Sequence, residues 1–400
     1  MQSVPSPGGV HTAPSSLKQT LASLHSLSPS PATMKIAVIG SGISGAVCAS
    51  ILARGGAAVT VFESGRGAGG RMSHRREMAE DGRMLFFDHG APYFTAESGE
   101  MAGMVGAWEA SGLVAEWKEK FGLYDQRSGR FIDQGKDLMT RKYVGIPGMN
   151  SVCKALCAEP GVEAKFGVTV ATMDWLQSNS LWSLTSLNGQ DLGKFDGVVA
   201  TDKNIFSPIF TELTGRPPPL DIASSPELAV KLQDIPAEAC FALMLGFSEP
   251  LSSIPVKGVQ FMNSEVLSWA FCDSSKPGRS HVSLNCEYWV LHSTAEYATG
   301  VITRSGLQKL SNDALAKVAE ELFHGFQATG LDIPRPFFMK AHRWGSAFPT
   351  IAAGGEEKCL WDGKKRLALC GDYCASPNVE GAVLSGMRAA SKFSRDLSSL

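Results

Sequence analysis

Four hundred residues, a hydrophobic fraction of 44%, a mean hydropathy near zero and a formal net charge of −2 describe a chain with ample length for a buried core, in one large or two interleaved domains. Neither sign of charge forms a long block, which argues against nucleic acid or an anionic membrane surface as a partner, and no apolar run is long enough for stable membrane insertion. The nine cysteines are scattered, and the closest pairs, Cys153/Cys157 and Cys370/Cys374, fit neither a redox CxxC nor a zinc ribbon, so free thiols in a reducing compartment are expected and no metal site is.

Residues 1–33 are rich in serine, proline and threonine, carry Lys18 and two histidines, and contain no acid; the first in the chain is Glu63. A segment of that composition cannot bury enough apolar surface to fold. It is expected to be a cleavable plastid (chloroplast) transit peptide, although it lacks arginine. The competing reading is a disordered tail ahead of a true start at Met34, in a cytoplasmic protein.

From Met34 the pattern becomes regular. An apolar strand, Lys35 to Ile39, leads into Gly40-Ser41-Gly42-Ile43-Ser44-Gly45, a helical run to Arg54, and a second strand from Ala58 to Phe62 closed by Glu63. This is a complete βαβ dinucleotide fingerprint. Gly40 makes the turn out of the strand, Gly42 lets backbone amides approach a pyrophosphate, and Gly45 lets the helix pack on the sheet. The helix start at Ile43 and Ser44 supplies unpaired N–H donors and partial positive charge. Glu63 sits where a carboxylate accepts the hydroxyls of an adenosine ribose. The loop that follows, Ser64-Gly65-Arg66-Gly67-Ala68-Gly69-Gly70-Arg71-Met72, adds flexible amides and fixed positive charge beside the same site. A Gly69-Gly70-Arg71 triplet at this distance from the fingerprint is a mark of proteins that hold an extended FAD.

Leu85 to Phe94 reads as a strand entering a turn, Asp88-His89-Gly90-Ala91, where Gly90 would allow close approach to a flat ring. His89 is a secondary candidate only. Met101 to Lys120 is helical in pattern, Phe131 to Pro147 is short-strand and turn material, and Gly148-Met149-Asn150 opens a helix through Cys157. Val162 to Val170 reads as one strand returning to the cofactor domain; proteins that hold an extended FAD offer main-chain groups of such a strand to the adenine, and resemblance to them makes Val170 the candidate contact. Trp175 to Leu187 alternates as a hairpin, and Phe195 to Thr201 reads as a further buried strand. Ile205 to Pro226, with Pro217-Pro218-Pro219, reads as a linker or loop. Cys240 to Phe247, Val266 to Cys272 and His281 to Cys286 suggest an antiparallel sheet, and Ser311 to Phe326 a capped amphipathic helix. Pro336 to Trp344 alternates as a strand ending in His342-Arg343-Trp344. Arg366 to Cys370 is a buried strand ending in Gly371-Asp372, and Glu380-Gly381-Ala382 opens a last helix. Asp372 is placed to bond the ribityl or phosphate part of a flavin, and the helix start at Gly381 to stabilise negative charge on its ring.

Taken together, the fingerprint, the Gly69-Gly70-Arg71 loop, the Asp88-His89-Gly90-Ala91 turn, Gly371-Asp372 and Glu380-Gly381-Ala382 resemble the FAD-dependent amine-oxidase superfamily, and within it the renalase-like oxidoreductases, from Met34 nearly to the C-terminus. The resemblance implies a p-hydroxybenzoate hydroxylase-like fold: an α/β, Rossmann-like FAD-binding domain (34–95, 145–205 and 345–400) interleaved with an α+β substrate domain (96–144 and 206–344) built on a mostly antiparallel sheet. It implies non-covalent FAD, since no cysteine stands at the family's flavin-linking position. It also implies an oxidase that takes hydride from a small planar donor, as renalases do from reduced nicotinamide isomers, and passes electrons to O2. His342 and Trp344 are then the pocket-lining candidates, Trp344 by stacking on a planar substrate; after them Gly345-Ser346 departs from the basic or aromatic residue often found in relatives. With one fingerprint only, a nicotinamide would visit as substrate. An amine oxidase and a carotenoid- or porphyrin-type desaturase share these FAD elements, and a non-catalytic binding protein like the Rab GDP-dissociation inhibitors is the alternative of another class.

Overall fold

The structure, a computed structural model, describes residues 33–132, 140–232, 235–279 and 285–397; the expected leader falls outside these apart from its last residue. The chain is mixed α/β. Six strands form the first sheet in the order Leu360–Asp362, Leu367–Leu369, Gly197–Ala200, Lys35–Ile39, Ala58–Glu63 and Val162–Phe166, all parallel except the Leu360–Asp362 edge. Alternation along its strands sorts side chains onto two covered faces. Ile36, Val38, Val199 and Ala368 pack under the helices Ile43–Arg54 and Val379–Leu397. Ala37, Val198, Leu367 and Leu369 pack under an antiparallel meander, Val170–Leu176, Leu181–Ser186 and Asp191–Phe195. The two helices meet backbone to backbone, since a Cβ on Gly386 would lie 2.3 Å from the Ser44 carbonyl oxygen.

Seven strands form the second sheet, in the order Phe338–Pro349, Ala237–Phe247, Glu287–Ser293, Leu267–Cys272, Gly258–Met262, Phe121–Asp125 and Arg130–Ile132. It is antiparallel except where Gly258–Met262 runs beside Phe121–Asp125. The helix Asn312–Gln327, capped by Ser311, lays Val318, Leu322 and Phe326 against it. A hairpin, His74–Met78 with Met84–Asp88, stands at its other face, with Leu85 and Phe87 buried against Ala242, Met244 and Val290.

Several elements differ from the sequence reading, each for a local reason. The helix expected over 101–120 is Gly99–Ala110; the chain turns at Gly112 (φ +69°) and continues as a short strand, Val114–Glu116. The strand expected over 162–170 breaks at Gly167 (φ +73°), so Val170 starts the meander instead of ending a strand of the first sheet. The expected linker holds two short helices, Pro208–Thr214 and Pro226–Leu232, the first with Ser207 as cap and proline in its first turn. The strand expected to stop at Trp344 runs on to Pro349. The His281–Cys286 strand falls largely on residues outside those described, and the observed strand is Glu287–Ser293. Residues 133–139 of the expected strand-and-turn stretch also lie outside them. The nine cysteines are free.

Candidate cofactor and substrate site

The first loop takes its shape from three glycines doing three different things. Gly40 turns with φ +101°, and a Cβ there would lie 2.1 Å from the Thr201 hydroxyl. At Gly45 a Cβ would lie 2.1 Å from the Gly40 carbonyl oxygen, so only glycine lets the helix close on the turn. Gly42 is the opposite case, with nothing within 4 Å of its added Cβ. The helix that follows has no side-chain cap and no acid in its first turn, which leaves its amino-terminal donors and dipole facing open space. The Gly69–Gly70 loop lies against this turn: Gly69 N–H donates to the Ser41 carbonyl at 3.0 Å, and a Cβ on Gly70 would approach Gly42 Cα to 3.3 Å.

Carboxylates fix the surrounding loops. Glu63 accepts from Ser41 N–H (2.9 Å), Ser41 Oγ (2.7 Å) and Gly65 N–H (2.6 Å), so it braces the turn. Arg71 donates to both oxygens of Asp372 at 2.5 and 2.6 Å and to the Ala347 carbonyl at 2.7 Å. That pair joins the second loop to the end of the last parallel strand. Burial opposes the charge on Arg71, but Asp372 outweighs it and the pKa rises. Glu380 accepts from Glu97 N–H (2.9 Å) and Ser98 N–H (2.8 Å), tying the last helix to the start of Gly99–Ala110. Its pKa is lowered, because these bonds and Ser98 outweigh its burial.

These loops enclose a cavity of about 960 Å³. Among the predicted residues, Gly40, Gly42, Ile43, Ser44, Glu63, Ser64, Gly69, Gly70, Arg71, Met72, Gly90, Ala91, Val170, Trp344, Gly371, Asp372, Glu380 and Ala382 line it. Gly45 and Gly381 do not, and both are packing positions; a Cβ on Gly381 would lie 2.3 Å from the Ser376 carbonyl oxygen. His342 does not line it either. It shares a strand face with Trp344, and His89 packs on both, with ring centroids 4.7 and 4.9 Å apart, but the Nδ1 of His342 lies 3.1 Å from Arg75. Gly90 lines the cavity and is also held to glycine by a contact within the protein: a Cβ there would lie 2.0 Å from the Arg71 carbonyl oxygen, to which Ala91 N–H donates at 2.8 Å.

One end of the cavity is an aromatic slot that sequence reasoning largely missed. Trp269 and Phe271 stack with centroids 5.5 Å apart and planes at 9°, Tyr93 meets Phe271 edge-on at 5.9 Å, and Trp344 Nε1 donates to the His89 carbonyl at 3.0 Å. His292 also lines the cavity, and burial pulls its pKa down to about 4. His89 is likewise held well below the usual imidazole value, by burial and then by His342 and Arg75. Trp269 and Phe271 are two apart on one strand, a spacing that could have marked a shared face. Thr201, Asp202, Ile205, Phe210, Leu213 and Pro219 line the cavity as well, from the segment expected to be a strand end and linker.

A parallel sheet with a glycine-rich turn at its switch point, an uncapped helix start and an open-faced Gly42 define a dinucleotide-binding oxidoreductase fold whose residues fit an extended FAD. Residues 38–108 match the NAD(P)-binding Rossmann-like domain, and residues 93–392 match the flavin containing amine oxidoreductases. The chain belongs to the flavin containing amine oxidoreductase family and is an FAD-dependent oxidoreductase. An oxidoreductase from Methanosarcina mazei is similar over 88% of this chain and 99% of its own, at 13% identity and a TM-score of 0.62, which shows a shared fold. Among the described residues no helix is long and apolar enough to cross a membrane.

Proposed function

We propose that this protein is a renalase-like oxidase that takes hydride from a small planar donor of the reduced-nicotinamide class, with O2 as the final acceptor and FAD held non-covalently. When bound, FAD supplies the hydride- and electron-accepting chemistry. The chain binds, orients and excludes water. The observation that carries this reading is the slot formed by Tyr93, Trp269, Phe271, His292 and Trp344. Its walls are flat and apolar, suited to a planar ring. They carry no carboxylate or lysine, and the one imidazole among them is neutral at pH 7. A hydride donor of this class needs no proton removed by the protein, whereas an ammonium substrate must lose one before oxidation.

Anaerobic mixing of the purified holoenzyme with isomeric reduced nicotinamide dinucleotides, ordinary NADH and NADPH, and primary amines tests the proposal through the flavin absorption band. Bleaching by the isomers, reversed by O2 with release of hydrogen peroxide, is the expected result. Bleaching by amines alone makes the protein an amine oxidase, and bleaching by none of these donors favours a desaturase.

A further inference from the structure

Behind the slot lies a cluster of buried charges that the chemistry above does not use. The Asp88 carboxylate, fully buried, accepts from His74 Nδ1 (2.7 Å) and Met149 N–H (3.0 Å) through one oxygen, and from Lys276 Nζ (3.0 Å) and the Arg279 guanidinium through the other. Lys276 also donates to Asp273 at 2.5 Å, and Asp273 accepts from Asp88 N–H at 3.4 Å. Arg279 reaches on to the Pro147 carbonyl. Two carboxylates and two cations, at most 2% exposed, therefore balance in charge. Burial opposes ionisation of Asp88, but Lys276, Arg279 and His74 hold its carboxyl well below the usual range.

The placement of this cluster is informative. Asp88 ends the strand that runs into Gly90, Ala91, Pro92 and Tyr93, one wall of the slot; Asp273 follows directly on the strand that carries Trp269 and Phe271, the facing wall. The ion cluster is thus the bond between two walls that come from different sheets. Lys276 reaches further, lying 5.6 Å from the Trp117 ring and adding its charge to the burial that keeps His292 neutral. His74 has no freedom to compensate, since its ring stacks on Phe86 at 5.4 Å and a Cβ on Gly148 would lie 2.4 Å from it. Buried ion networks of this kind are weak sources of net stability but hold one geometry against alternatives.

We propose that the Asp88–Asp273–Lys276–Arg279 cluster is a positioning device that sets the separation of the slot walls, and so governs how tightly a planar ligand is held without governing whether FAD is bound. Among the described residues, the loops braced by Glu63 and by the Arg71–Asp372 pair make no hydrogen bond to the four side chains of the cluster.

Two variants test this: Lys276→Gln, and the charge-balanced pair Asp273→Asn with Lys276→Gln, which leaves Asp88 joined to Arg279, His74 and Met149. FAD affinity is read by fluorescence titration, the slot by visible circular dichroism of the bound flavin, and ligand affinity by titrating oxidised holoenzyme with nicotinamide. That last arm rests on the donor class proposed above. The expected result is FAD affinity within twofold of wild type, an altered flavin dichroism and nicotinamide binding weakened tenfold or more, in whichever variant folds. A lower melting temperature with unchanged dichroism and ligand affinity overturns the proposal and leaves the cluster structural. Loss of FAD affinity in parallel with ligand affinity overturns it too. If wild-type protein shows no response to nicotinamide, the donor class fails, and unchanged dichroism in the variants then overturns the positioning role.

Discussion

Replacing Gly42 with alanine separates the fold from the site. Gly42 has φ −62° and ψ 171°, a conformation open to any residue, and its new methyl meets nothing within 4 Å. Two small effects on the apoprotein oppose each other. Fewer unfolded conformers favour alanine by about 0.4–1 kcal/mol, and alanine is a poorer helix cap than glycine by a similar amount. The apoprotein melting temperature should therefore stay within about 2–4 °C of wild type. The methyl does project into open space at a residue that lines the cavity, where a bound cofactor would meet it. Overpacking by one methyl costs about 1–3 kcal/mol, which corresponds to FAD binding weaker by about 5- to 150-fold. Gly45→Ala is the control, because its methyl meets the Gly40 carbonyl oxygen at 2.1 Å and must destabilise the apoprotein itself. Far-ultraviolet dichroism of apoprotein melts and fluorescence titration with FAD measure the two effects. If Gly42→Ala binds FAD within twofold of wild type, or melts as early as Gly45→Ala, the division of labour among these glycines is wrong.

Removing Arg71 leaves Asp372, 4% exposed, without its partner; because the Arg71 side chain is 42% exposed, screening limits the coupling. A double-mutant cycle of Arg71→Ala and Asp372→Asn should give about 1–3 kcal/mol, and coupling near zero would contradict the joining role. His292 makes stability depend on pH in a definite direction. Its folded pKa of about 4 lies below the ordinary 6.5, so the unfolded chain takes up the proton first. Stability contributed by the neutral ring is complete above pH 6.5 and falls towards pH 4, by on the order of 3 kcal/mol. Denaturant titrations of wild type and His292→Gln across that window should differ in slope, the variant being flatter. Finally, FAD at one hundred times its dissociation constant should raise unfolding free energy by about 2.7 kcal/mol, and a melting temperature indifferent to FAD would exclude preferential binding to the folded chain.

The fingerprint from Lys35 to Glu63 was legible because everything it needs is local: a buried strand, glycines at fixed offsets and a helix period. The overall α/β architecture followed from the same kind of signal. Beyond Trp344 the slot was hardly legible, because Trp269 and Phe271, His292 and Trp344 lie on separate strands that only the second sheet's order brings together, beside Tyr93 from the turn after Asp88. Trp344 was found and His342 misplaced for one reason: alternation puts both on the same strand face, and says nothing of Arg75 holding His342 away from the cavity that Trp344 lines. Phe210 and Leu213 were hidden by the Pro217–Pro219 run, which reads as linker although the chain just before it forms a capped helix at the cavity. Lys276 and Arg279 gave no signal, since a buried ion pair with Asp88 at a separation of nearly two hundred residues has no local pattern.

The pairing of Arg71 with Asp372, and of Ser44 with Gly386 across the two long helices, bears on how such a chain is made. The glycine-rich turn after Lys35–Ile39 leaves the ribosome long before the strand Leu367–Leu369 and the helix Val379–Leu397 that pack with it. Until Leu367–Leu369 has emerged the central sheet lacks the strand beside Gly197–Ala200, and until Val379–Leu397 follows its helical face is half uncovered. Closure of the site therefore waits for that helix, and a chain cut before Val379 would present the apolar surface it covers to the cell.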